Sequence, residues 1–171
     1  MLKIIGAVMI IFVSVSIGRL LAAELDKRCY LLHDLQQGLL ALEREISYTK
    51  TPLPQALKTA AEAGGRSAVV FHYTVDLLNR RQGISAQRAW ELALEKASHE
   101  LPLKAEDLFI LNSFGRGLGL SNAEDQVKRL ELSRQRLFQA EELAKDQARR
   151  LGKVWKNLGW AAGIAIAIIS F

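Results

Sequence analysis

A single cysteine, Cys29, rules out an intramolecular disulfide framework and the common cysteine-based zinc spacings. Proline is sparse too: the last of three is Pro102, so no proline breaks a helix between there and Phe171. No segment alternates convincingly between apolar and polar residues with period two, which argues against β-sheet. Long uncharged apolar runs are missing too. Ile4–Gly18 and Leu158–Phe171 carry no charge, but each makes only roughly 21 to 23 Å of helix, at about 1.5 Å per residue, against about 30 Å of bilayer hydrocarbon. Each run by itself is a marginal span.

What is present is one domain's worth of chain, 171 residues of which 50% are hydrophobic, with a net charge of +5. The positive charge is concentrated. In KDQARRLGKVWK, Lys145, Arg149, Arg150, Lys153 and Lys156 stand against one Asp146, directly before the apolar C-terminus. A nucleic-acid surface would interleave basic residues with exposed aromatics along a face; a basic cluster abutting an apolar tail instead suits a membrane surface, and no nucleic acid is expected as a partner. Lys3 and Arg19 can snorkel, Leu20–Ala23 extends the first apolar run, and Trp155 and Trp160 sit where an interfacial aromatic belt would lie. Two membrane segments are therefore expected, over 1–23 and 157–171. Because Arg19, Lys27 and Arg28 follow the uncharged run Ile4–Gly18 and the basic cluster precedes the second run, the positive-inside rule turns the middle segment, 24–156, to the cytoplasm. The competing expectation is a secreted helical binding protein with a cleaved signal peptide, for which Lys3, the apolar centre and small residues such as Ser16 and Gly18 would serve.

The middle segment reads as helices, and the fold class is all-α, a bundle of about six. Leu32, Leu35, Leu39, Leu42 and Ile46 recur at spacings of three and four, the stripe of an amphipathic first helix. Thr51 is suited to cap a second helix with Pro52 at its first position, running to about Ala63 before Gly64-Gly65. Ser67 can cap a third, ending near Gly83, and Ser85 a fourth that Pro102 stops. A fifth, from Lys104 to about Phe114, offers Leu108, Ile110, Leu111 and Phe114 for packing. The sixth begins near Asn122, capped by Ser121 or Asn122, with Val127, Leu130, Leu137, Ala144, Ala148, Leu151 and Trp155 at near-heptad spacing. It is expected to continue into the C-terminal apolar run and to pair antiparallel with the long first helix, giving two stalks with four short helices at their far end.

Candidate chemistry is thin. The alternate glycines of FGRGLGLSNAEDQ, Gly115, Gly117 and Gly119, invite a phosphate-cradling reading. The flanks are helical rather than strand, the spacing is not that of a dinucleotide fingerprint, and Glu124 and Asp125 would repel phosphate. A helix stop, a glycine-shaped corner and a helix restart is the better reading. His33, His72 and His99 fall on three different helices without i, i+4 partners, and Glu43 with Glu45 and Glu141 with Glu142 share no helical face, so solvated surfaces are expected for them. Neither a metal nor an enzymatic site is expected.

The stretches LQQGLLALEREISYTKTPLPQAL, GISAQRAWELAL, DLFILNSFGRGLGLSNAEDQ and LGWAAGIAIAII together resemble the stage III sporulation protein AB family of endospore-forming bacteria, over nearly the whole chain. That family is in turn similar to the cytoplasmic helical domain of the F-type platform protein of type II secretion and type IV pilus systems. The resemblance implies a non-enzymatic membrane component of the mother-cell and forespore channel complex, placed in the forespore outer membrane with its helical domain in the mother-cell cytoplasm. It further implies a stage III sporulation protein AA-like ATPase as partner, alongside membrane lipid and other members of the complex, and it implies no cofactor. Platform proteins usually carry two copies of the helical domain. One copy here implies self-association. The expected partner surface comprises Thr51 and Pro52 on one turn with Gly115, Gly117, Gly119 and Asn122 on another; the alternative is that these glycines only shape the turn.

Overall fold

A computed structural model describes residues 2–80, 83–119 and 123–169, and among these every regular element is helical. The order is α1 (Leu2–Arg44), a π-helical turn (Glu45–Thr49), α2 (Leu53–Ala63), a short 3-10 turn (Gly65–Ser67), α3 (Ala68–Arg80), α4 (Ala86–Ser98), α5 (Ala105–Gly115) and α6 (Ala123–Ile169). The chain divides into two compact units. One joins Met1–Cys29 to Glu142–Phe171, the beginning of α1 with the end of α6; the other is Tyr30–Glu141.

The long outer helices follow from the sequence. No proline falls inside α1 or α6, which run for 43 and 47 residues. In the unit Tyr30–Glu141, the stripe Leu32, Leu35, Leu39 and Leu42 of α1, continued by Ile46 in the π-helical turn, is buried as expected, each leucine contributing about 1.5–3 kcal/mol by leaving water. Gly38 lets α3 come close: a Cβ there would fall onto the Phe71 ring and lie 3.2 Å from the Ala60 carbonyl oxygen. On α6 the buried positions Leu130, Ser133, Leu137 and Ala140 recur at spacings of four and three. As α1 advances from Gln36 to Glu43, its partners on α6 step back from Glu141 to Arg134, so over this stretch the two helices are antiparallel.

Trp90 of α4 anchors the interior of this unit. It is fully buried, meets Phe114 edge-on at 5.1 Å and Phe71 at 5.7 Å, and its indole Nε1 donates to the Leu111 carbonyl at 2.9 Å. Ser85 caps α4 as expected, accepting from the Arg88 amide. Other expectations are corrected. Pro52, not Thr51, is the cap residue of α2, because the π-helical turn carries the Thr51 hydroxyl back to Glu45. Ser67 does not accept from an α3 amide; its hydroxyl donates to the Gly64 carbonyl. Glu141 is buried rather than solvated, since the α1 pairing brings Gln36 and His33 to it. Leu108 and Ile110 are only half-buried, and α5 packs mainly through Leu111 and Phe114.

Among the described residues no helix is long and apolar enough to cross a membrane, so the membrane segments expected over 1–23 and 157–171 receive no support from the structure. The physical reason is already in the sequence: the uncharged runs are short, and Lys3 and Arg19 bracket the first. The expected caps Ser121 and Asn122 lie outside the described residues, as do the side chains of Trp155 and Trp160.

Candidate functional site

The two turns of the expected partner surface lie in the unit Tyr30–Glu141. Before α2, the chain leaves the π-helical turn through Lys50, whose φ of 51° is left-handed, and turns at Thr51 and Pro52. Thr51 Oγ1 donates to Glu45 Oε2 at 2.6 Å and the Thr51 amide to the Glu45 carbonyl at 3.2 Å, while the Pro52 carbonyl accepts from the Gln55 and Ala56 amides and so opens α2. Thr51 is half-buried by these contacts, and Pro52 is exposed.

After α5, each glycine has its own task. A Cβ on Gly115 would collide with Trp90 Cδ1, so this position must be bare for α5 to sit on the indole. Gly117 gives room to the Arg129 side chain, whose Cδ would lie 2.8 Å from a Cβ. Gly119 adopts a φ of 78°, the left-handed region that other residues rarely enter, and a Cβ there would lie 3.0 Å from Ala86 Cβ and 3.7 Å from Leu53 Cδ2. Leu53 directly follows Pro52, so the glycine corner abuts the start of α2 and the two turns meet. Asn122 lies outside the described residues.

Among the described residues of this corner, 115–119, nothing forms a phosphate cradle. The Arg116 amide donates to the Asn112 carbonyl, the Gly117 amide to Phe114 and the Leu118 amide to Gly115, which closes α5 on itself and commits these three donors within the turn. Leu118 folds inward and is buried. The three histidines are exposed and remain apart, His33 on α1, His72 on α3 and His99 in the turn just past α4 rather than on a helix as expected. Among the described residues no three His, Cys, Asp or Glu side chains are grouped to hold a metal ion.

What the sequence reading missed is charge around the glycine corner. Arg116, at the end of α5, shares a pocket of about 300 Å³ with Arg129 and Arg136 of α6, lined otherwise by Ser113, Leu132 and Ser133. The seven-residue spacing of Arg129 and Arg136 was the available signal, since it puts them on one helical face; the arrival of Arg116 beside them depends on the turn. On the other side of the corner, Glu91 of α4 is held below the usual glutamate range. Hydrogen bonds from Gln87 and then Arg88 favour its charged form, and the fields of Arg88 and Arg116 act in the same direction.

Known proteins agree with this architecture. The profile of the family described as stage III sporulation protein AB matches residues 3–171. Stage III sporulation protein AB of Bacillus subtilis (strain 168) is 31% identical over 170 residues, covering 99% of each chain. A solved structure of stage III sporulation protein AB superposes with a TM-score of 0.65 at 30% identity, over 71% of this chain and 96% of that one.

Proposed function

The chain belongs to the stage III sporulation protein AB family, and from that premise we propose that it is a non-enzymatic, membrane-anchored adaptor of a sporulation complex between mother cell and forespore. Its helical domain faces the mother-cell cytoplasm and couples an ATPase of the stage III sporulation protein AA type to the membrane assembly. The observation that carries this reading is the meeting of the two corners at Gly119, Leu53 and Ala86, which joins the starts of α2 and α4 and the end of α5 into one surface. A surface assembled from helix ends suits docking of a folded partner, and the Gln55, Ala56, Arg116, Gly117 and Leu118 amides on it are bonded within the chain. The basic cluster Lys145–Lys156 before the C-terminal apolar run supports anchoring at an anionic membrane.

The test is purification of the chain from detergent-solubilised sporulating cells, with mass spectrometry of what accompanies it. Recovery of the ATPase with wild type, and its loss on replacing exposed Pro52, is the expected result. Wild type purifying without the ATPase would sink the adaptor role. Release of the chain from membranes by carbonate would sink the anchoring.

A further inference from the structure

The pocket beside the glycine corner concentrates three guanidinium groups with no carboxylate among its lining residues. Among the described residues neither Arg116, Arg129 nor Arg136 forms an ion pair, and Arg116 reaches only the Ser113 hydroxyl, at 3.4 Å. Glu91, which feels the charge of Arg116, is already engaged by Gln87 and Arg88. Holding three like charges around one cavity raises the local potential, and that repulsion is relieved when an oxyanion enters. The arginine fork matches a carboxylate in two-point contact.

The apolar component of the pocket decides what kind of oxyanion. Leu132, the one apolar lining residue, lies between Arg129 and Arg136 on α6 and is 47% exposed, while Phe109, one turn before Ser113 on α5 and outside the pocket lining, adds a second apolar side chain on the neighbouring surface, 61% exposed. A free phosphate or a lipid headgroup would leave these apolar groups in water, whereas a peptide that alternates acidic and apolar side chains would cover them. Arg129 and Arg136 are two helical turns apart, about 10.5 Å along α6, the same rise as between acids seven residues apart on a partner helix. Gly117 belongs to the same device, because its missing side chain is what lets the Arg129 stem cross the corner.

From this we infer that Arg116, Arg129 and Arg136, with Leu132 at their centre, form a docking pocket for an acidic amphipathic helix of a partner protein. The inference deepens the adaptor reading and rests on it for the partner's place in the complex, but binding by the pocket can be tested alone. The probe is a labelled helical peptide with two glutamates seven residues apart around a central leucine, titrated by fluorescence anisotropy against the full chain in detergent. A glutamine-for-glutamate peptide, inorganic phosphate and phosphatidylglycerol vesicles form the other arms. We expect the glutamate peptide to bind, the Arg129→Gln/Arg136→Gln double variant to weaken it about tenfold or more, Leu132→Ser to weaken it less, and rising salt to weaken it further. The substituted side chains are solvent-facing, and circular dichroism confirms that each variant is folded. Equal binding of the two peptides, undiminished binding by the folded arginine variant, or arginine-dependent binding of phosphate or vesicles in place of the peptide would overturn the inference. Failure of wild type to co-purify the ATPase would remove the adaptor role and leave the peptide titration standing, so the two failures are distinguishable.

Discussion

At the corner before α2 the chain is held by side-chain oxygen atoms, with Thr51 Oγ1 2.6 Å from Glu45 Oε2, whereas the corner after α5 is held by what its glycines leave out. The first corner is a polar latch at the surface. The second is a close fit, in which α5 rests on the Trp90 indole at Gly115 and Arg129 passes over Gly117. A latch contributes the net worth of one hydrogen bond, about 0.5–1.5 kcal/mol. A close fit against a buried ring, as at Gly115, once violated disturbs every side chain stacked behind it. The comparison teaches that the glycine corner is the one on which the fold of this unit depends, and that the Pro52 corner can change at little cost to folding.

The largest expected effect tests that claim directly. Gly115→Ala places a methyl group against Trp90, which is fully buried between Phe71 and Phe114 and cannot swing aside. Overpacking of this kind costs about 1–3 kcal/mol, read as a fall in thermal midpoint together with altered tryptophan fluorescence. Gly117→Ala is the matched control: its neighbour Arg129 is an exposed, flexible side chain, so the midpoint stays near wild type. Equal effects at the two positions would erase the distinction between packing against an indole and packing against an arginine stem.

Gly119→Ala comes next. Its left-handed φ of 78° costs an alanine about 1–2 kcal/mol, and the Ala86 methyl 3.0 Å away leaves little room to relax. Loss of stability without a change in the Trp90 signal would show that backbone conformation, not indole packing, governs this end of the corner. On the opposite side of the comparison, Thr51→Val removes the hydroxyl that donates to Glu45 but keeps the shape, for an expected loss of about 1 kcal/mol or less in denaturant midpoint. A loss as large as that of Gly115→Ala would overturn the description of the Pro52 corner as a dispensable latch.

Sequence reading located these corners but not their workings. The α1 stripe, the Ser85 cap and the unbroken α6 were legible because local periodicity and capping chemistry decide them. Thr51 was misread because a π-helical turn prolongs the first helical segment through Thr49 and redirects its hydroxyl. The purpose of each glycine depends on residues far along the chain, Trp90 and Ala86 on α4 and Arg129 on α6. Periodicity also says which residues share a face but not what covers it. The burial of Glu141 depends on Gln36 and His33, about a hundred residues earlier, and the arginine pocket depends on the glycine corner bringing Arg116 to α6.

The smallest effect asks whether the charge of Arg116 ties the glycine corner to α4. Glu91 lies on the same helix as Trp90 and is held below the usual glutamate range by Gln87 and Arg88, with Arg116 of the corner adding to the effect. A carboxyl group depressed in the folded state contributes stability at pH values above its unfolded pKa, and the contribution fades as pH falls through that value and then through the lower folded one. Glu91→Gln should therefore stabilise nothing and cost little at neutral pH, and should flatten the fall in thermal midpoint between neutral and acid conditions. With Glu91 31% and Arg88 60% exposed, solvent screening keeps the difference small. Combining Glu91→Gln with Arg116→Gln isolates the contribution of the corner. If the two substitutions flatten the acid profile no more than Glu91→Gln alone, with Arg116→Gln itself altering it, Arg116 acts on stability through Glu91. If Arg116→Gln leaves the profile of wild type unchanged, the corner draws no stability from the charge pairing with Glu91 and its arginine is available to the pocket on the α6 side.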